Sequence, residues 1–288
     1  VIGEPLPHDR ILSKLDELNG ALYGSAMKDA AEAIMTTDTF PKGSAATVDI
    51  DGTPVQIAGI AKGSGMIAPD MATMLVYIFT DAEIAFDELQ PLVADLCDET
   101  FNAITVDSDT STSDSLMVFA TGANGDAAIS SEADPRYSAF AAALSDICRE
   151  LAMLIVKDGE GASKFITIQV DGAASDASAR TIAVDIANSP LVKTALAAND
   201  ANWGRVVMAV GKSGEPIDLD ALSIWFGDVQ VAEAGGRSED YDEARASAAV
   251  TEPEITIRAR VGAGPGRSTV YTCDLTHAYV DINGAYRT

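Results

Sequence analysis

Apolar residues recur along this chain with two periods, one near 3.6 residues and one near two residues. The clearest helical pattern covers residues 133–156, and its apolar face carries Tyr137, Phe140, Leu144, Ile147, Leu151 and Leu154. Further helices are predicted at residues 8–23, 25–35, 86–101 and 175–187. Strands are predicted at residues 45–60 (a hairpin turning at Asp51-Gly52), 73–80, 104–106, 115–121, 165–170, 254–261 and 270–275.

Helices and strands mix throughout, so the pattern predicts an α+β protein of mixed α/β layers. The strongest internal break is the polar run KDGEGAS at residues 157–163. It predicts a division into a catalytic core, residues 1–165, and a smaller C-terminal α/β domain, residues 166–288. The acidic stretch 234–253 is expected to be a solvated loop or an exposed helix. The polar C-terminal tail, taken by itself, is expected to fray.

Composition narrows the class of protein. The 288 residues include 44 Asp and Glu against 19 Lys and Arg, a formal net charge of −25. Such a charge repels phosphate backbones and anionic lipids, which argues against nucleic-acid and membrane-surface binding. No apolar run approaches the roughly 20 residues of a membrane-spanning helix, and no signal peptide opens the chain. The pattern therefore predicts a soluble globular protein.

Cysteine and histidine usage limits the chemistry further. Three widely spaced cysteines without a C-x-x-C pair favour buried thiols in a reducing compartment, so we expect a cytoplasmic protein. The two histidines, His8 and His277, all but exclude a histidine triad or a multi-histidine metal centre. The acidic run 107–112 resembles a calcium loop but lacks the Gly and Glu that an EF-hand needs. No metal is expected, and that run is better interpreted as a polar loop near the active site.

The segment AKGSGMIAPDMATML, residues 61–75, is the most informative stretch. It places Thr73, preceded by the small Ala72, at the start of an apolar strand. A hydroxyl there could attack the preceding carbonyl, cleave the chain and become a nucleophile with its own α-amine as base. An unperturbed α-amine has a pKa of about 7.7–8.0, which suits that role. This chemistry needs no histidine. From spacing alone, however, a threonine that only caps a turn is the commoner case.

Several segments in this order resemble one family. Beside KGSGMIAPDMATML they are VIGEPLP (1–7), AIMTTDTFPK (33–42), FNAITVDSDTSTSD (101–114), GEGASK (159–164), SPLVKTA (189–195), NWGR (202–205) and the terminal YVDINGAYRT. The set resembles the ornithine acetyltransferases, the bifunctional glutamate N-acetyltransferases of arginine biosynthesis. The resemblance spans the whole chain, which makes it much more specific than any single motif.

The resemblance implies self-cleavage between Ala72 and Thr73, so that residues 1–72 end an α chain and Thr73 begins a β chain. Thr73 would take the acetyl group from N-acetylornithine, release ornithine and pass the acetyl group to glutamate, giving N-acetylglutamate in a ping-pong transfer. No cofactor is implied. Some family members also use acetyl-CoA as the donor, and the sequence leaves that open. The two chains must stay associated, and a higher homo-oligomer is expected.

The resemblance also implies a set of substrate-binding residues: Thr36, Lys62, Thr73, Glu160, Asn283 and Thr288. Lys62 would bind a carboxylate, and Glu160 the cationic end of a substrate. Because Thr37 is adjacent, either threonine could correspond to the substrate-binding threonine of the family. Apart from the resemblance, both hydroxyls would be expected only to cap the preceding helix. Ser163 replaces a family threonine and keeps its hydroxyl.

One departure bears on activity. Family members carry a Thr-Gly pair just before VIGEPLP that forms the oxyanion hole, and in this sequence it would precede Val1. The resemblance thus implies an N-terminally truncated chain, and losing such a donor costs on the order of 100- to 1,000-fold in rate.

Two alternatives stay open. The first is an N-terminal-nucleophile amidase or aminopeptidase, for which water replaces glutamate as the acceptor. The second is a non-catalytic derivative, which would show no break between Ala72 and Thr73.

Overall fold

A computed structural model describes residues 5–68, 74–111 and 113–285. Within them the helices are α1 (His8–Leu12), α2 (Leu15–Gly20), α3 (Met27–Ala33), α4 (Phe86–Glu99), α5 (Pro135–Lys157), α6 (Asp176–Ala187), α7 (Pro190–Ala197), α8 (Trp203–Lys212), α9 (Glu243–Ala249) and α10 (His277–Ala285). The strands are β1 (Lys42–Ile50), β2 (Thr53–Lys62), β3 (Leu75–Thr80), β4 (Ser115–Ala120), β5 (Phe165–Ala173), β6 (Ser223–Phe226), β7 (Val229–Glu233), β8 (Gly236–Arg237), β9 (Glu254–Arg260) and β10 (Gly266–Cys273).

The first sheet has the order β1-β2-β3-β4. The β1–β2 hairpin turns at Asp51 and Gly52, whose φ angles of 55° and 84° are those that an Asp-Gly turn supplies. The predicted hairpin is therefore confirmed. Strand β3 pairs antiparallel with β2 and parallel with β4, so β2 ends at the sheet edge where β3 and β4 begin.

Helix α5 covers this sheet and packs against β1 and β2. Its start follows from local sequence, because the Asp134 carboxylate caps it by accepting from the Arg136 N–H and Pro135 occupies the first turn. The helix is confirmed, and four residues of its predicted apolar face are buried at 2% exposure or less: Phe140, Leu144, Ile147 and Leu151. Together with α4 and the inner sheet face they form the first hydrophobic cluster.

The second sheet has the order β10-β5-β9-β6-β7-β8. Helix α6 packs against β5 and β10, and their apolar residues form a second cluster with α7 and α8. The two clusters meet within β5, since Phe165 belongs to the first and Ile166 to the second. The domains predicted at 1–165 and 166–288 stay a prediction.

Three predicted elements differ in the structure. Residues 8–23 form two short helices without buried residues, because the turn at Ser13 interrupts the helix and their leucines stay exposed. Residues 104–106 make one isolated bridge, Ile104 to Tyr271, rather than a strand. The C-terminal tail forms α10 over residues 277–285. It packs on the turn that follows α5, and sequence periodicity has no means of showing that contact.

In the part of the chain that the structure describes, none of the helices has the length and apolarity needed to cross a membrane. The three cysteines are free thiols, with Cys148 and Cys273 buried.

Candidate active site

Thr36 and Lys62 lie in contact at the end of β2. Lys62 is the last residue of β2, opposite Leu75 of β3, and it is only 5% exposed. The turn after α3 brings Thr36 to it, and the Lys62 Nζ donates to the Thr36 Oγ1 at 3.4 Å. Burial lowers the pKa of Lys62, while the carboxylates of Asp38 and Asp114 act in the opposite direction. This geometry favours Thr36 over Thr37 as the site residue.

Glu160 and Asn283 form a second pair. Glu160 lies in the turn between α5 and β5 and is buried, and Asn283 lies on α10. The Asn283 Nδ2 donates to the Glu160 Oε2 at 2.6 Å and also to the Tyr279 carbonyl one helical turn earlier, at 3.1 Å. Helix α10 thus brings a C-terminal residue to a carboxylate that lies 123 residues earlier in the sequence.

Residues 62–65 connect the two pairs. The Glu160 N–H donates to the Ser64 carbonyl at 2.8 Å. A Cβ at Gly65 would collide with the Glu160 carboxylate, so glycine allows that side chain to lie against the loop. A buried ammonium and a buried carboxylate therefore flank one short loop. An amino acid presents a carboxylate and an ammonium, and these two side chains have the complementary charges.

Asp114 is a further acidic residue at this edge, and the sequence pattern predicts no role for it. Its Oδ1 accepts from the Met74 N–H at 2.7 Å, and the next residue, Ser115, donates its N–H to the Met74 carbonyl at 3.1 Å. Burial raises the pKa of Asp114 to about 6, although Met74 and Lys62 both act to lower it. Asp114 could have been found from the parallel pairing of β3 and β4, because their register aligns the residues that precede the two strands.

The acidic loop around Asp107 connects elements of the site. The Asp107 carboxylate accepts from the backbone N–H groups of Met66 and Ile67 at 2.7 and 3.1 Å, and from the Tyr279 hydroxyl at 3.2 Å. It therefore ties the loop after β2 to α10. Among residues 5–68, 74–111 and 113–285, no group of three or more histidine, cysteine or acidic side chains is arranged to hold a metal ion.

Three positions of the predicted chemistry lie outside the described residues. They are Ala72 and Thr73, the predicted cleavage site and nucleophile, and Thr288, the last predicted substrate residue. The other four predicted site residues are brought together as two pairs, Thr36 with Lys62 and Glu160 with Asn283.

Comparison with known proteins decides the family. The ArgJ family model matches residues 1–288. The chain belongs to the ArgJ family. A relative from Ruegeria pomeroyi, "Arginine biosynthesis bifunctional protein ArgJ", is 58% identical over 287 residues, which cover all of this chain and 69% of the relative. The protein of the same name from Gluconobacter oxydans is 56% identical, again over 287 residues, with coverage of 100% and 68%.

A solved structure supports the same assignment. The crystal structure of the arginine biosynthesis bifunctional protein ArgJ from Bacillus halodurans is 37% identical and superimposes with a TM-score of 0.70. The match covers 73% of this chain and 98% of that one. The resemblance found in the sequence is therefore confirmed, and so is the fold class, a mixed α/β fold of the ArgJ type.

Proposed function

We propose that this protein is a glutamate N-acetyltransferase of arginine biosynthesis, which moves an acetyl group from N-acetylornithine to glutamate. The observation that carries the proposal is membership of the ArgJ family along all 288 residues. The site geometry supports it, because buried Lys62 and Glu160 provide opposite charges on either side of one loop. Both substrates are amino acids, so one pair of charges serves the donor and the acceptor in turn.

The proposed reaction starts with self-cleavage. The Thr73 Oγ attacks the Ala72 carbonyl, the peptide C–N bond breaks, and the acyl group moves to oxygen while the nitrogen becomes an α-amine. Water then hydrolyses the ester, which frees the carboxylate of Ala72 and the hydroxyl of Thr73. An unperturbed α-amine has a pKa of about 7.7–8.0, and in this proposal the new amine accepts the proton of its own hydroxyl in each later attack.

Acetyl transfer follows in two halves. The Thr73 Oγ attacks the acetyl carbonyl of N-acetylornithine, the amide C–N bond breaks, and the amine of ornithine leaves with a proton. The amine of glutamate then attacks the acetyl-threonine ester, N-acetylglutamate leaves, and the threonine hydroxyl is restored. Both halves proceed without a cofactor in this proposal. Lys62 and Thr36 hold the substrate carboxylate, and Glu160, Asn283 and Thr288 hold its other polar groups.

The fold supports lasting association of the two chains after cleavage. Strand β2 precedes the cleavage site and β3 follows it, and they form a continuous antiparallel ladder from Ile57↔Thr80 to Lys62↔Leu75. Helix α5, from the β chain, packs on β1 and β2 of the α chain. We propose that the cleaved pair stays together and assembles further as a homo-oligomer in the cytoplasm. Its buried free thiols suit that reducing compartment.

The decisive test is Thr73→Ala in the full-length protein. Intact mass should show one uncut chain, and acetyl exchange between N-acetylornithine and glutamate should vanish, whereas the unaltered protein shows two chains and exchange. Thr80→Ala, a change at the last residue of β3, provides a control that is expected to keep both activities. An uncut chain that transfers acetyl groups at the normal rate would disprove the proposal.

The same assay separates the alternatives. Release of acetate and ornithine without glutamate indicates a hydrolase instead of a transferase. Replacing N-acetylornithine by acetyl-CoA shows whether the thioester also serves as donor.

A further inference from the structure

Lys42 lies in a buried ion cluster behind the candidate site. It is the first residue of β1, and its side chain is fully buried. Its Nζ donates to the Asp38 Oδ1 and to the Asp158 Oδ2, both at 2.6 Å, and the side chains of these acids are at most 2% exposed. The cluster holds two carboxylates and one ammonium, which gives it a formal charge of −1. Apolar side chains of similar size often stabilise a fold as well as such a cluster does, so stability alone does not account for it.

The Asp38 branch of the cluster reaches the Thr36–Lys62 pair. The Asp38 carboxylate accepts from the Thr36 N–H at 3.0 Å and from the Gly63 N–H at 2.7 Å. One carboxylate thus fixes the backbone of Thr36 and the backbone next to Lys62. Burial acts to raise the pKa of Asp38, but these N–H donors and Lys42 outweigh it and lower that pKa, so the group stays charged.

The Asp158 branch reaches Glu160. Asp158 lies two residues before Glu160, and its carboxylate accepts from the Thr39 N–H at 3.0 Å. Its backbone carbonyl accepts from the Ser64 Oγ at 2.6 Å, and the Ser64 carbonyl in turn accepts from the Glu160 N–H at 2.8 Å. The turn that carries Glu160 and the loop that follows Lys62 are therefore fixed to each other and to the same buried ammonium.

We propose that Lys42 is a positioning residue for substrate binding, which through Asp38 and Asp158 sets Lys62 and Thr36 at a fixed separation from Glu160. Thr36, Lys62 and Glu160 lie on separate segments. Lys42 binds Asp38 and Asp158, the two residues that fix the backbone of those segments. The inference rests on the proposed function, because the separation matters only if one amino-acid substrate spans it. Lys42 itself contacts Asp38 and Asp158, and it acts on the substrate through them.

The test compares Lys42→Met with Lys42→Arg and with the control Lys164→Met in the full-length protein. Lys164 is another buried lysine, but its Nζ donates to the carbonyls of Leu196 and Val250, in the second cluster. For Lys42→Met we expect KM for N-acetylornithine and for glutamate to rise at least tenfold, with cleavage after Ala72 still complete by intact mass. Lys42→Arg should restore much of the affinity because it returns the charge. Lys164→Met should lower Tm without changing either KM.

A second variant decides the matter if Lys42→Met does not fold. Ser64→Ala removes the hydroxyl that joins the loop after Lys62 to Asp158 and exposes no buried charge, and we expect it to raise both KM values about three- to tenfold. Unchanged KM in the folded variants would overturn this inference and leave the proposed function standing. The same KM and Tm changes in Lys42→Met and Lys164→Met would do so too. If the unaltered protein transfers no acetyl group, the proposed function fails first and the inference falls with it.

Discussion

At the scale of single residues, the candidate site contains charged side chains that are shielded from water and lie near groups of opposite charge. Asp114 shows most clearly that burial disfavours a charged carboxylate. Burial raises its pKa from 3.8 to about 6, although the Met74 N–H and the Lys62 charge both favour the ionised form. An ionised Asp114 is thus less favourable in the folded protein than in the unfolded chain. Groups with pKa values displaced in this way are common at functional sites.

Asp114→Asn gives a prediction about pH and stability. Between pH 4 and 6 the folded protein holds the proton of Asp114 more tightly than the unfolded chain does, so this group's contribution to stability falls as pH rises through that window. Asparagine keeps an acceptor for the Met74 N–H and carries no charge. We expect the variant to be more stable than the unaltered protein at pH 8 by about 1 kcal/mol, a value discounted for partial exposure, and the difference to disappear near pH 4.

Urea midpoints at the two pH values measure this difference. Asp109→Asn is the matched control, since Asp109 is an exposed carboxylate in the preceding loop. A stability difference for Asp114→Asn that stays constant from pH 4 to pH 8 would contradict the assignment.

At the scale of elements, the C-terminal helix α10 completes the site through one tight contact. Gly161, with φ of 71°, lies directly under it, and a Cβ there would come within 2.6 Å of the Tyr279 N. Glycine therefore serves two needs at once, a left-handed backbone and a close helix approach. The Asn283–Glu160 hydrogen bond depends on that approach.

Gly161→Ala should weaken substrate binding by displacing α10. We expect KM for both amino acids to rise about tenfold with little loss of the first hydrophobic cluster. Gly214→Ala is the matched control, because Gly214 has nearly the same φ, 74°, and a Cβ there meets nothing within 4 Å. Both variants carry the backbone strain of about 1 kcal/mol, and the collision with α10 adds to it in Gly161→Ala, so Tm is expected to fall in both variants and further in Gly161→Ala. Equal KM values in the two variants would exclude the proposed role of α10.

Elements also show where sequence patterns stop being informative. The period of α5 fixes its buried face, and the Asp-Gly pair fixes the β1–β2 turn, since both depend on neighbours within a few residues. The segment 104–106 has the β-branched composition of a strand, but among the described residues it forms a single bridge, from Ile104 to Tyr271, which is 167 positions away. Pairing partners at such distances are set by the whole fold, which explains the wrong prediction.

At the scale of the whole molecule, acidic charge dominates. Forty-four acidic residues face 19 basic ones, so the folded surface repels itself. Raising salt from about 0.1 M to about 1 M shortens the Debye length from roughly 10 Å to roughly 3 Å, which screens exposed charges but not the buried Lys42 cluster.

Stability should therefore rise with salt. We expect Tm to increase by several degrees between 0.1 and 1 M sodium chloride, with sucrose at matched osmolarity as a control for effects other than screening. Scanning calorimetry or dye-based melting measures the change. A Tm that falls with sodium chloride would show that attractive surface ion pairs outweigh the repulsion.

The sequence by itself determined the family, the mixed α/β class and most elements, because motifs, periodicity and turn residues are local properties of the chain. It also predicted the chemistry, which stays a prediction. It also named Lys62, Glu160 and Asn283. Only the tertiary structure showed that Lys62 and Glu160 flank one loop, that α10 returns to meet Glu160, that Lys42 binds both Asp38 and Asp158, and that Asp114 accepts from the Met74 N–H. Apart from the Lys42–Asp38 pair, these contacts join residues 40 to 123 positions apart, and their burial and charge balance exist only once the sheets and helices have packed.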